Sequence, residues 1–211
     1  MTRSQTWPRT TVKLAGIGAV FGVGGYLFGK LLADLYPDLG AGLDVRWADA
    51  AAFALAAVML VASVVTVAIS TRPAALGRLL KLEGPAGPVE AREARLQAAI
   101  LALSGAVLAL PPLFIALGVS PLPAFAGVAA LLVLHTALNL RLYRSADELF
   151  RRVVIDAGAA TFWVGQGLLF LWAAAERLAL APPVTAWDVY VVLMAVYLVA
   201  SMTVTIRRGL A

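Results

Sequence analysis

Cysteine is missing from this 211-residue chain, and histidine occurs once, as His135. Without thiols there is no disulfide framework, no cysteine-ligated zinc, no iron–sulfur cluster and no thiol nucleophile. One imidazole excludes every site that needs two, bis-histidine haem and HExxH zinc among them. Charge is scarce as well. Only 14% of residues are charged and 62% are hydrophobic, where a soluble domain is about a quarter charged and about half apolar. With a mean hydropathy of +0.89, the chain reads as a membrane protein. Its net charge of +5 then reports loop arginines that set orientation, and no direct contact with nucleic acid is expected.

A helix crosses the hydrocarbon core in about 20 mostly apolar residues. Six stretches have that length: 14–36, 48–70, 95–117, 122–143, 152–174 and 186–206. The longest segment between them, 71–94, has no room for a soluble domain, so one domain is expected. Basic residues precede the first stretch, as in a signal peptide. Its length exceeds the usual apolar region of about 7–15 residues, and it reads as a retained helix. The expected fold is all-α: a bundle of six transmembrane helices.

Cations choose the orientation. All of the 17 lysines and arginines except Lys30, Arg46 and Arg177 fall on one side of this map. Arg141, Arg144, Arg151 and Arg152 form the inner basic loop between spans four and five. The positive-inside rule therefore places both termini in the cytoplasm. Trp47, Trp187, Tyr190 and Tyr143 lie at span boundaries, as interfacial aromatics do.

Breakers agree with this map. Pro37, Gly40 and Gly42 end span one, and Pro121 with Pro123 confines spans three and four to a tight hairpin. Pro111-Pro112 predicts a kink in span three. In the long linker, 74–82 sets Leu76, Leu79 and Leu80 among Arg78 and Lys81. It reads either as a short amphipathic turn on the inner leaflet or as a solvated linker. No internal repeat is evident.

Gly18, Gly22, Gly25 and Gly29 make a smooth stripe on span one, a device for close helix packing within the chain or in a homodimer. Asp34, Asp38, Asp44 and Asp49 give the outer side an acidic cast. They read as a vestibule for cations, or as solvated aspartates with a Lys30–Asp34 pair.

Ionisable and polar groups inside spans are functional candidates. His135 and Asn139 share a face of span four, and Asp156 lies one turn inside span five. The short 144–151 connection predicts that these helices are neighbours. His135, Asn139 and Asp156 then form a proton- or ion-handling cluster, unless Asp156 simply pairs with Arg152 four residues before it. Gln166 is expected to bond across to another helix, with Ser63, Thr66 or Ser70 as partners. Ser104, His135 and Asp156 match a hydrolytic triad by residue type, but Ser104-Gly105 lacks the surroundings of an intramembrane serine protease. No metal site and no cofactor are implied.

The stretch Ala146-Asp147-Glu148-Leu149-Phe150-Arg151-Arg152 runs directly into an apolar span. It resembles the Asp-Glu-x-x-Arg-Arg opening of a late helix in small uncharacterised bacterial membrane proteins. Some of those lie beside genes for helix-turn-helix regulators, which implies a part in membrane-linked regulation. The excess of arginine over lysine, with much alanine and leucine, fits a GC-rich bacterium and its inner membrane. Two functions follow as expectations. One is a non-enzymatic membrane component that binds a protein partner, as a regulator or an assembly subunit. The other is a small ion or solute transporter using His135, Asn139 and Asp156.

Overall fold

The computed structural model describes residues 46–208. They form six helices and, among the described residues, no strand: α1 (Trp47–Ser70), α2 (Pro73–Leu79), α3 (Pro88–Ala116), α4 (Pro121–Ser145), α5 (Glu148–Arg177) and α6 (Ala186–Arg207). All except α2 are long and apolar enough to cross a membrane. Five predicted spans are thus helices close to their expected bounds. The first span and its glycine stripe, with Lys30, Asp34, Asp38 and Asp44, lie outside the described residues.

Among the described residues, α1 and α3 share the most extensive packing. Ala48, Ala52 and Ala56 recur every fourth residue on α1 and are buried, with Leu108 of α3 and Val191 of α6 in the same cluster. Gly105 lies so close that an added Cβ would stand 3.0 Å from the Ala56 carbonyl oxygen. Farther along, the Ser63 hydroxyl donates to the Ala98 carbonyl at 2.7 Å. Lipid gives apolar helices no hydrophobic reason to associate, so close backbone approach between small residues carries such contacts. The other polar side chains of these helices are mostly satisfied locally. Thr66, Thr136, Thr161, Thr203 and Thr205 each donate to the carbonyl four residues back.

α3 also packs along α4, and α5 packs along α6, which in turn touches α1. The expected neighbours, spans four and five, share no comparable face. A short connector brings only helix ends together. Which faces pair is decided by fit: α5 packs along α6, and its buried Gly165 meets Leu193 there. The kink expected at Pro111-Pro112 has little helix left to redirect, because α3 ends at Ala116, barely a turn beyond.

The 71–87 linker is folded. Leu76 is buried with Ala86 and Ala94, and the Ala86 N–H donates to the Pro73 carbonyl at 2.9 Å. α2 ends in a Schellman turn: Lys81 N–H donates to the Arg78 carbonyl and Leu82 N–H to the Gly77 carbonyl. The same turn ends α3 at Gly118 and α5 at Ala179. All three residues have a left-handed backbone, with φ of 57°, 65° and 58° for Lys81, Gly118 and Ala179.

Candidate functional site

Between α3 and α4, His135 meets Ser104 and Asn139, whereas the cluster expected between spans four and five paired His135 and Asn139 with Asp156. Ser104 Oγ is 2.8 Å from His135 Nε2, and Asn139 Nδ2 is 3.0 Å from the same nitrogen. Asn139 Nδ2 also donates to the His135 carbonyl oxygen at 3.0 Å, one turn back, which fixes the amide's orientation. An amide N–H can only donate, so the contact with Nε2 is a hydrogen bond in the tautomer that leaves Nε2 bare and carries its proton on Nδ1. The Ser104 hydroxyl has one proton and two acceptors within reach, Nε2 and the Ile100 carbonyl at 2.9 Å. All three side chains are half-buried. The arrangement is a polar group in which Ser104 of α3 meets His135 and Asn139 of α4.

Asp156 is not part of it. Its carboxylate binds the Arg208 guanidinium at the far end of α6. This corrects both expectations for Asp156. The local Arg152 partner loses to an arginine brought alongside by the antiparallel α5–α6 pair. The imidazole stands on α4, which α5 does not pack against. Gln166 differs too. It is exposed and makes no hydrogen bond among the described residues, while Ser63, Thr66 and Ser70 donate to carbonyls.

The basic loop between α4 and α5 is a capping device. Asp147 Oδ1 accepts the Phe150 N–H at 2.7 Å and so caps the start of α5. Arg151 reaches back to the Tyr143 and Arg144 carbonyls, each at 3.1 Å, and closes the end of α4. Its guanidinium also lies 5.8 Å from the Tyr143 ring centre. Arg141, Arg144 and Arg152 stay exposed.

At the opposite end, sequence reading missed a polar lock. Arg46 holds both carboxylate oxygens of Asp188, at 2.8 and 2.9 Å. Asp188 and Thr185 form a reciprocal capping box at the start of α6. The Trp187 indole N–H donates to Asp49 at 2.8 Å, so this aspartate fastens α6 to α1. The Thr-x-x-Asp spacing before an apolar run was the signal available. Beside the lock, Trp47, Leu168, Trp172, Val189 and Val192 line a cleft of 230 Å³ with Asp188 at its edge.

No group of three or more His, Asp or Glu side chains able to hold a metal ion occurs among the described residues. Compared with known families, curated proteins and solved structures, the chain matches none.

Proposed function

We propose that this chain is a six-span protein of the bacterial inner membrane with both termini in the cytoplasm. In this reading it performs no catalysis and serves as a regulatory or assembly subunit by binding a protein partner. The antiparallel order of α1, α3, α4, α5 and α6 supports the orientation. It gathers Arg72, Arg78, Lys81, Arg92, Arg95, Arg141, Arg144, Arg151, Arg152, Arg207 and Arg208 at one end and leaves Arg46 and Arg177 at the other. A cysteine-free chain makes the test direct: Ser145→Cys should react with an impermeant maleimide from the cytoplasm, and Ser120→Cys from outside.

The observation that carries partner binding is the folded linker. A slack connection would leave its leucines averaging over many conformations. Here buried Leu76 and the Schellman turn hold Leu79, Leu80 and Leu82 outward beside exposed Arg72 and Arg78. That surface complements a cytoplasmic protein presenting apolar and acidic side chains. Purification from native membranes in mild detergent tests it. The wild type should bring down a stoichiometric partner that the Leu79→Ser/Leu80→Ser double variant loses. A wild type that purifies with no such partner overturns the reading.

The second reading, transport, draws on the Ser104–His135–Asn139 chain, whose hydroxyl can pass its hydrogen bond between two acceptors. Purified protein in vesicles that moves protons or a solute, and stops doing so as Ser104→Ala, would favour it.

A further inference from the structure

Gln166 stands in the middle of an apolar helix, and its carboxamide makes no hydrogen bond among the described residues. It lies at least about 12 Å from either end of the predicted span 152–174, given the α-helical rise, too deep for its short side chain to reach water. An unpaired amide in hydrocarbon costs several kcal/mol. Neighbouring polar side chains avoid that cost by bonding to their own helix, as Thr161 does with the Ala157 carbonyl at 2.7 Å. Gln166 does not.

The residues around it complete a face. Ala159, Gln166 and Ala173 recur every seven residues on α5, all exposed, with exposed Ile155, Phe162 and Phe170 alongside. The buried Gly165 of α5 lies on another face and meets Leu193 of α6. A seven-residue recurrence is the seam of two helices in left-handed supercoil, and a polar residue in such a seam fixes register and partner. Small residues one heptad to each side let the backbones approach.

We infer that α5 pairs with α5 of a second copy of this chain through the Ala159–Gln166–Ala173 seam. Copies inserted with the same orientation are related by a two-fold axis along the membrane normal. Their α5 helices then run parallel, and each residue on the axis meets itself at the same depth. Gln166 is suited to that meeting, because a carboxamide carries donor and acceptor together. Two copies exchange N–H···O bonds reciprocally without needing any other residue. A protein of different sequence would have to supply a matched amide at the same depth. The inference rests on α5 lying in the membrane and not on the cytoplasmic partner proposed above.

Cysteine scanning in native membranes tests it, since the chain has no cysteine of its own. Ala159→Cys and Ala173→Cys should each oxidise to a disulfide-linked species of twice the chain's mass. Val164→Cys and Leu171→Cys, exposed on another side of α5, should not. Adding Gln166→Leu to Ala159→Cys should lower the linked fraction about three- to tenfold, the range expected for interhelical hydrogen bonds in membranes, and Gln166→Asn should preserve it. Equal crosslinking at all four positions, none at Ala159 and Ala173, or an adduct of another mass overturns the pairing. Loss of the cytoplasmic partner in Leu79→Ser/Leu80→Ser with crosslinking intact separates the two proposals, as does the reverse.

Discussion

Arg46 and Asp188, 142 residues apart in sequence, meet through both carboxylate oxygens and join the start of α1 to the start of α6. The pair is asymmetric: the Asp188 side chain is 4% exposed and that of Arg46 46%. Removing the arginine therefore leaves a buried carboxylate held, among the described residues, by the Thr185 N–H, whereas removing the aspartate frees a cation that water can take. Arg46→Met should destabilise the folded protein by about 2 kcal/mol, less than the loss for a fully buried pair. The double variant Arg46→Met/Asp188→Leu should cost less than the sum of its single changes, as thermal unfolding in detergent would show. Strict additivity would mean that the two side chains act independently.

Ala179 ends α5 at φ 58°, a conformation in which its Cβ is crowded. Gly118 makes the same turn after α3 at φ 65° with nothing within 4 Å of an added Cβ. The backbone alone then distinguishes the two sites. Ala179→Gly should raise stability by about 0.5–1 kcal/mol, and Gly118→Ala should lower it by about 1 kcal/mol. Opposite signs in the two melting temperatures are the expected result.

Gly77 tests whether the linker is a built surface. A Cβ there would sit 2.2 Å from the Gly84 carbonyl oxygen, a backbone atom that cannot step aside. Gly77→Ala should therefore pry α2 from residues 84–86 and open the linker without touching the α1–α3 seam. Trypsin applied to inverted vesicles should cut after Arg78 or Lys81 at least about tenfold faster in the variant, about 1.4 kcal/mol of local stability. An unchanged cutting rate would mean the linker is already open in solution.

These sites differ in how far the sequence announces them. Long apolar runs bounded by Pro, Gly and Arg place five helices, because a bilayer imposes their length whatever they pack against. Pairing is another matter. Ala48, Ala52 and Ala56 form the central seam of the described bundle, yet alanine is so common here that its four-residue spacing is inconspicuous beside the glycines of span one. Ser104 and His135 are both legible as polar residues at similar depth, and the structure joins them. Asp156 was misassigned because local spacing favours Arg152, while Arg208 becomes its neighbour only once α5 and α6 fold antiparallel. The Asp-Glu-x-x-Arg-Arg stretch is readable as caps only when the carbonyls that Arg151 reaches are in view.

His135 offers the sharpest check on the separation of the two polar groups. A neutral ring with its proton on Nδ1 is the form that lets Asn139 donate to Nε2. The imidazole nitrogen signals of selectively labelled protein in vesicles should show one bare and one protonated nitrogen in that tautomer. Asn139→Leu removes a donor to Nε2 and should let the other tautomer appear, with Nε2–H given to Ser104. Ser104→Ala should perturb the same signals and cost about 1 kcal/mol of stability, the ordinary worth of one hydrogen bond. Asp156→Asn should leave them unchanged, since its carboxylate serves Arg208 on α6, and should cost about 1 kcal/mol or less because that pair is partly exposed. If Asp156→Asn moves the histidine signals as far as Asn139→Leu does, a carboxylate shares the ring after all. The transport reading would then recover its charged member.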